Sequence, residues 1–137
     1  MKAKILLVDD EAHIRNVLKR LLARRLPEVE IVEASSAEEA MAIARERAFD
    51  VVLTDYRMDG ATGADLLRHL SVDAPGTARV LATGYQDDAI IEEAVRGLDL
   101  DARLPKPWDN DTVVTVLKGI LAQRSGEGAS AAAAEGV

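Results

Sequence analysis

Short apolar runs in this chain stop on polar residues that can bind a metal or an anion. Ile5-Leu6-Leu7-Val8 stops on Asp9-Asp10, and Val51-Val52-Leu53-Thr54 stops on Asp55. Arg79-Val80-Leu81-Ala82 stops on Thr83-Gly84, and Ala102-Arg103-Leu104-Pro105 on Lys106-Pro107. Lys4 to Val8 and Val51 to Thr54 are continuously apolar rather than alternating, as expected of strands covered on both faces. Glu30 to Glu33 reads as an edge strand with charge near its ends.

Between the runs the apolar period changes to that of helices. Ile14, Val17, Leu18, Leu21 and Leu22 form one face between about Ala12 and Arg25, and Pro27 closes that element. Ser36 stands three residues before Glu39, the spacing of a capping box, and opens a helix to about Arg47 with Ala40, Met41, Ile43 and Ala44 inward. A third helix is expected from about Gly63 to Leu70 on Leu66, Leu67 and Leu70, followed by a Pro75-Gly76 turn. A fourth runs from about Asp87 to Arg96, with Gly97 as C-cap. The fifth follows Trp108, with Asp109 or Asp111 as N-cap and Val113, Val114, Val116, Leu117, Ile120 and Leu121 as its apolar face.

Five strands alternating with five helices give an α/β domain with a parallel sheet and helices on both faces. Ligands of such sheets bind beyond the carboxyl ends of the strands, which is where all four polar stops fall. The 137 residues suit one domain. Residues 1–124 hold the periodic segments. Residues 125–137 are read as a disordered tail or linker, because the Ala-rich stretch has helix propensity but little to bury.

Aromatic residues are 3% of the chain, so the core must be aliphatic. The net charge of −7 argues against a nucleic-acid surface and against an anionic membrane as partner. There is no Cys and there are two His, so thiolate chemistry is excluded and a His-rich metal site is disfavoured. Asp9-Asp10-Glu11 interrupts the first apolar run too early for a signal peptide. No run approaches the roughly 18 apolar residues of a membrane span. The expected location is the cytoplasm.

Asp9, Asp10 and Asp55 brought to one strand edge would repel one another. Two such charges about 4 Å apart cost roughly 4 kcal/mol at an effective dielectric of about 20. Three carboxylates therefore ask for a cation, and hard oxygen ligands favour Mg²⁺. Lys106 supplies a fixed positive charge and Thr83 a hydroxyl donor. A carboxylate nucleophile facing Mg²⁺, Lys and Thr is set up to accept a phosphoryl group.

The segments Leu6-Leu7-Val8-Asp9-Asp10-Glu11, Leu53-Thr54-Asp55-Tyr56-Arg57-Met58, Ala82-Thr83-Gly84-Tyr85 and Leu104-Pro105-Lys106-Pro107-Trp108 together resemble a response-regulator receiver domain, the phosphoacceptor module of two-component signalling. The resemblance covers roughly Ala3 to Arg124. It implies a chemotaxis-regulator-like, doubly wound sheet of flavodoxin-like order 2-1-3-4-5. By position, Asp55 is the phosphoacceptor, and Asp9, Asp10 and the backbone carbonyl of Arg57 join it around Mg²⁺, or Mn²⁺ in its place. Thr83 is the switch hydroxyl, Lys106 the lysine that pairs with the phosphoryl group, and Lys106-Pro107 a cis peptide. The implied donor is a sensor histidine kinase or histidine phosphotransfer protein. The implied target is a downstream protein or an attached effector domain, with dimerisation through helix 4, strand 5 and helix 5. Such a protein assists its own phosphorylation and dephosphorylation without turning over an outside substrate.

The chain departs from that pattern in two places. Asp59 stands where the family often has Pro, which predicts a less rigid loop. Arg103 stands where it usually has Tyr or Phe, so Arg103 is expected to report to the helix 4, strand 5 and helix 5 face by charge.

The simpler readings are a packing role for Trp108, surface positions for His13 and His69, a helix-start acid in Glu11, and solvated walls for Arg57 and Tyr85. The rival function is a Mg²⁺-dependent phosphohydrolase with an Asp nucleophile. The haloacid-dehalogenase type places Asp-x-Asp after strand 1, and this chain has adjacent Asp9-Asp10. A flavin or nucleotide binder would need a Gly-rich loop after strand 1, which is absent.

Overall fold

The computed structural model describes residues 2–84 and 88–135, with side chains for 2–84 and 89–124. In chain order the elements are β1 (Ala3–Val8), α1 (Ala12–Arg25), β2 (Val29–Ala34), α2 (Ala37–Glu46) and β3 (Val51–Asp55). They continue with α3 (Gly63–Asp73), β4 (Ala78–Gly84), α4 (Asp88–Ala94), β5 (Ala102–Lys106) and α5 (Asn110–Glu135). The strands form one parallel sheet in the order β2-β1-β3-β4-β5. This is the expected doubly wound, flavodoxin-like order, and it puts β1 and β3, which end at Val8 and Asp55, side by side at its centre.

Alternation along the strands explains why their sequences are apolar throughout. Ile5, Leu7, Val51, Leu53, Val80 and Leu104 point to one side, where they pack with Leu18, Leu21 and Leu22 of α1 and Val113, Val114 and Leu117 of α5. Leu6, Val8, Val52 and Leu81 point to the other, against Ala37 and Ala40 of α2, Leu66, Leu67 and Leu70 of α3 and Ile91 of α4. Each central strand thus feeds two cores at a side-chain period of two.

Several boundaries differ from the sequence reading. β5, expected over about Ala102 to Leu104, continues through Pro105 to Lys106; it pairs only with β4 among the described residues, and an edge strand tolerates a residue without an N–H. α3 runs on to Asp73 although Val72 is 78% exposed, because backbone bonding outlasts the apolar stripe. α4 ends at Ala94, earlier than Arg96, and Gly97 follows in a turn at φ +76°. The expected start of α4 at Asp87 lies outside the described residues.

α5 extends as backbone helix to Glu135, through residues read as a tail. Ala is the strongest helix former, and a helix already nucleated by Val113 to Leu121 propagates at little cost. Val17 is 47% exposed rather than inward. His69 is half-buried beside Asp73, with Nε2 2.9 Å from its carboxylate, rather than a solvated position.

The Ser36–Glu39 box forms in altered pairing. Ser36 Oγ accepts the Glu39 N–H at 3.0 Å, but the Glu39 carboxylate reaches back to the N–H of Ser35. Asp109, not Asp111, caps α5 by accepting the Thr112 N–H at 3.2 Å, and Asp111 pairs with Arg25 instead.

Candidate functional site

Val8, the last residue of β1, pairs with Thr54, the residue before Asp55 at the end of β3. The residues that follow, Asp9, Asp10 and Asp55, therefore arrive at one place. A carboxylate oxygen from each lies within 4.8 Å of the others. The two neighbours at the β1 end are not equivalent. Asp9 is 4% exposed: its Oδ1 accepts the Glu11 N–H at 2.9 Å, and its backbone carbonyl accepts from Arg15 Nη1 at 2.7 Å. Asp10 is exposed, and its Oδ2 accepts the Asp59 N–H at 3.2 Å.

Lys106 closes the group from the end of β5. Its Nζ is 3.2 Å from Asp55 Oδ1 and 3.6 Å from Asp9 Oδ2. Burial raises the pKa of both Asp9 and Asp55. The Lys106 charge opposes that rise at both, and at Asp9 the Glu11 N–H opposes it more strongly. The site thus holds its carboxylates where ionisation is penalised and one ammonium only partly compensates. The peptide bond Lys106–Pro107 is cis.

A shallow cavity of about 510 Å³ opens over this group. Asp10, Glu11, Asp55, Arg57, Asp59 and Lys106 are among its lining residues. Three oxygen-donor residues without sulfur or imidazole fit a hard divalent cation. The donor set is therefore compatible with Mg²⁺.

The β3–α3 loop is held by side chains. Asp59 donates to Asp10, and Ala61 N–H donates to Glu38 of α2 at 3.1 Å. The N–H that Pro at position 59 would lack is the one that ties this loop to β1. Thr62 and Asp65 form a capping box at the start of α3, with bonds of 3.1 and 2.9 Å. Gly63 N–H donates to Tyr56 O at 2.9 Å.

The other expected residues are distributed as follows. Thr83 is buried on β4, one residue beyond Ala82, the partner of Asp55. Arg57 is exposed at the rim. Arg103 lies away from the carboxylates on the α4 side of β5, where its guanidinium pairs with Glu92 of α4. Trp108 is partly buried against the α1–α5 core. His13 is exposed, and Tyr85 lies outside the described residues.

Arg15 and Glu38, which hold Asp9 and the β3–α3 loop, were not legible as site residues. Arg15 reads as one of several basic residues on the outer face of α1. Glu38 reads as a first-turn acid of α2.

No helix among the described residues is long and apolar enough to cross a membrane. The family model described as the response regulator receiver domain matches residues 5–118. A response regulator receiver protein of Anaeromyxobacter sp. is 40% identical over 105 residues, covering 76% of this chain and 42% of that protein. The hydrogenase transcriptional regulatory protein HoxA of Cupriavidus necator is 32% identical over 123 residues, covering 89% of this chain and 25% of that one. The phosphate regulon transcriptional regulatory protein PhoB of Pseudomonas aeruginosa is 33% identical, with 96% and 56% covered. The chain thus spans about a quarter to a little over half the length of these relatives.

Among solved structures, a response regulator receiver domain protein of Clostridium thermocellum superposes with a TM-score of 0.80 at 30% identity, covering 90% of this chain and 97% of that one. The phosphohydrolase reading gains no support from these likenesses. With the family model matched over residues 5–118 and the sheet in the expected strand order, the chain belongs to the response regulator receiver domain family.

Proposed function

We propose that Asp55 takes a phosphoryl group from the phosphohistidine of a sensor histidine kinase or a histidine phosphotransfer protein, and that the chain works as a switch. The observation that carries this reading is the convergence of Asp9, Asp10 and Asp55 within 4.8 Å, with Lys106 3.2 Å from Asp55. In the transfer the P–N bond of the donor breaks as a P–O bond forms to an Asp55 carboxylate oxygen, and the departing imidazole takes up a proton. Asp9, Asp10 and Asp55 with the Arg57 backbone carbonyl would hold Mg²⁺, or Mn²⁺ in its place. When bound, that ion neutralises charge on the phosphoryl oxygens. Lys106 adds a fixed ammonium on the β5 side, and the Thr83 hydroxyl donates to a phosphoryl oxygen.

The output passes through Thr83 and Arg103 to the face formed by α4, β5 and α5. That face meets a downstream protein, an attached effector domain or a second copy of the chain. Support comes from the Arg103–Glu92 ion pair, which places a charged contact between β5 and α4. Residues 1–124 act as the receiver unit and residues 125–137 as a tail or linker, in the cytoplasm. The chain assists its own phosphorylation and dephosphorylation and has no outside substrate to turn over.

The test is incubation with acetyl phosphate and Mg²⁺, followed by intact-mass measurement. The wild type gains one phosphoryl group and Asp55→Asn gains none. Equal gain by the variant, or none by the wild type, overturns the assignment.

A further inference from the structure

We infer that Trp108 is a positioning residue for Lys106, holding its ammonium toward Asp55 through a cation–π contact. The inference rests on the reading of Asp55 as phosphoacceptor and adds to it a residue whose expected role is packing alone.

The Lys side chain carries much rotamer freedom, and ordering it has an entropic cost. Among the described residues the ammonium has three neighbours: Asp55 at 3.2 Å, Asp9 at 3.6 Å and the Trp108 ring, whose centroid is 5.4 Å from Nζ. That distance is inside the ~6 Å reach of a cation–π contact, and indole is the best partner ring. The ring is itself fixed, because Trp108 packs against the core shared by α1 and α5.

The three neighbours behave differently when phosphate arrives. Asp55 changes from a carboxylate to an acyl phosphate, and Asp9 is a metal-ligand candidate whose charge the ion would share. The indole face keeps its charge distribution throughout. Of these three, it is the partner that retains the ammonium at the site before, during and after transfer. Phe in place of Trp keeps a π-face against the core. Leu keeps apolar bulk but has no quadrupole to offer a cation.

The test compares wild type, Trp108→Phe and Trp108→Leu in two measurements on the full chain. The first is the rate of phosphoryl uptake from acetyl phosphate with Mg²⁺, followed by intact mass. Trp108→Leu should fall about two- to five-fold, the size a partly exposed cation–π contact supports, while Trp108→Phe should stay closer to wild type.

The second is the proton shift of the Lys106 ε-methylene without any phosphodonor. Ring current should place it upfield of the other lysines in wild type, and Trp108→Leu should return it to their range. If Trp108→Leu proves unfolded by circular dichroism, Trp108→Met takes its place in both measurements.

Uptake by the ring-less variant at the wild-type rate or faster overturns the inference, as does an ε-methylene shift that ignores the loss of the ring. If the wild type takes up no phosphoryl group while the shift still moves, the reading of Asp55 falls. The ring contact then stands without a role in transfer.

Discussion

Replacing Gly63 by Ala puts the packing of the strand that carries Asp55 to a direct test. A Cβ at Gly63 would lie 2.1 Å from the backbone oxygen of Asp55 and 3.1 Å from Leu81 Cδ1. To reach even a 3.0 Å contact, that oxygen must retreat by about 0.9 Å. The obstructing atom is backbone, so no rotamer change can relieve it. Either β3 shifts at Asp55 or the start of α3 lifts and strains the Gly63 N–H bond to Tyr56 O.

Overpacking of this kind typically costs about 1–3 kcal/mol, and a backbone clash belongs in the upper half, about 2–3 kcal/mol. For a domain of this size that corresponds to a Tm lower by about 6–10 °C. Urea unfolding at pH 7 reads the free energy and thermal scanning the Tm. Gly76→Ala is the control, since a Cβ there meets nothing within 4 Å. It should be neutral or slightly stabilising. Below the Tm, Gly63→Ala should also take up phosphate more slowly, because Asp55 has moved. A Gly63→Ala protein within about 0.5 kcal/mol of wild type, with unchanged uptake, would refute the claim that this close approach fixes Asp55.

Further expectations follow from other parts of the fold. Asp55→Asn should raise the Tm at pH 7 in metal-free buffer, because burial raises the Asp55 pKa and its ionisation costs stability in the folded state. For a raised carboxyl, the stability is present below the unfolded value of about 3.8 and is lost as pH rises through the folded pKa. The gain should therefore shrink as pH falls toward that value; a gain that stays constant down to pH 3 contradicts the account. Leu117→Ala, at a fully buried α5 position, should cost about 2–5 kcal/mol in urea unfolding, and a loss under about 1 kcal/mol would show that this core repacks. Thr62→Ala removes half of the capping box at α3 and should cost about 1 kcal/mol, whereas Thr62→Ser should recover most of it.

What could be seen in the sequence was the convergence of strand ends. Apolar runs that stop on Asp9-Asp10, Asp55, Thr83 and Lys106 carry their meaning locally, because a parallel sheet brings its carboxyl edges together whatever the loops do. The long-range side-chain bonds were out of reach. Arg15 to the Asp9 carbonyl, Asp10 to the Asp59 N–H and Glu38 to the Ala61 N–H depend on which helix lies beside which loop, and spacing along the chain does not encode that.

The capping box of α3 was missed for another reason. Its partner at N3 is Asp65 rather than the Glu or Gln of the usual pattern. Arg103 was visible as an unusual residue. Its partner Glu92 was not, since pairing β5 with α4 is a property of the crossover and not of either segment.

The two-sided core also determines how news of a change at Asp55 can spread. The sheet is a partition: the helices behind it, α1 and α5, share one set of buried side chains, and α2, α3 and α4 share the other. Lys106, the neighbour of Asp55, leans on Trp108, which packs against the α1–α5 compartment. Arg103, bonded to Glu92, opens on the compartment of α4. On the proposed reading, one chemical event at the sheet's edge would therefore touch two separately packed sides of the domain. On that reading, a mutation that breaks the Arg103–Glu92 contact would leave the packing of Lys106 on Trp108 in place.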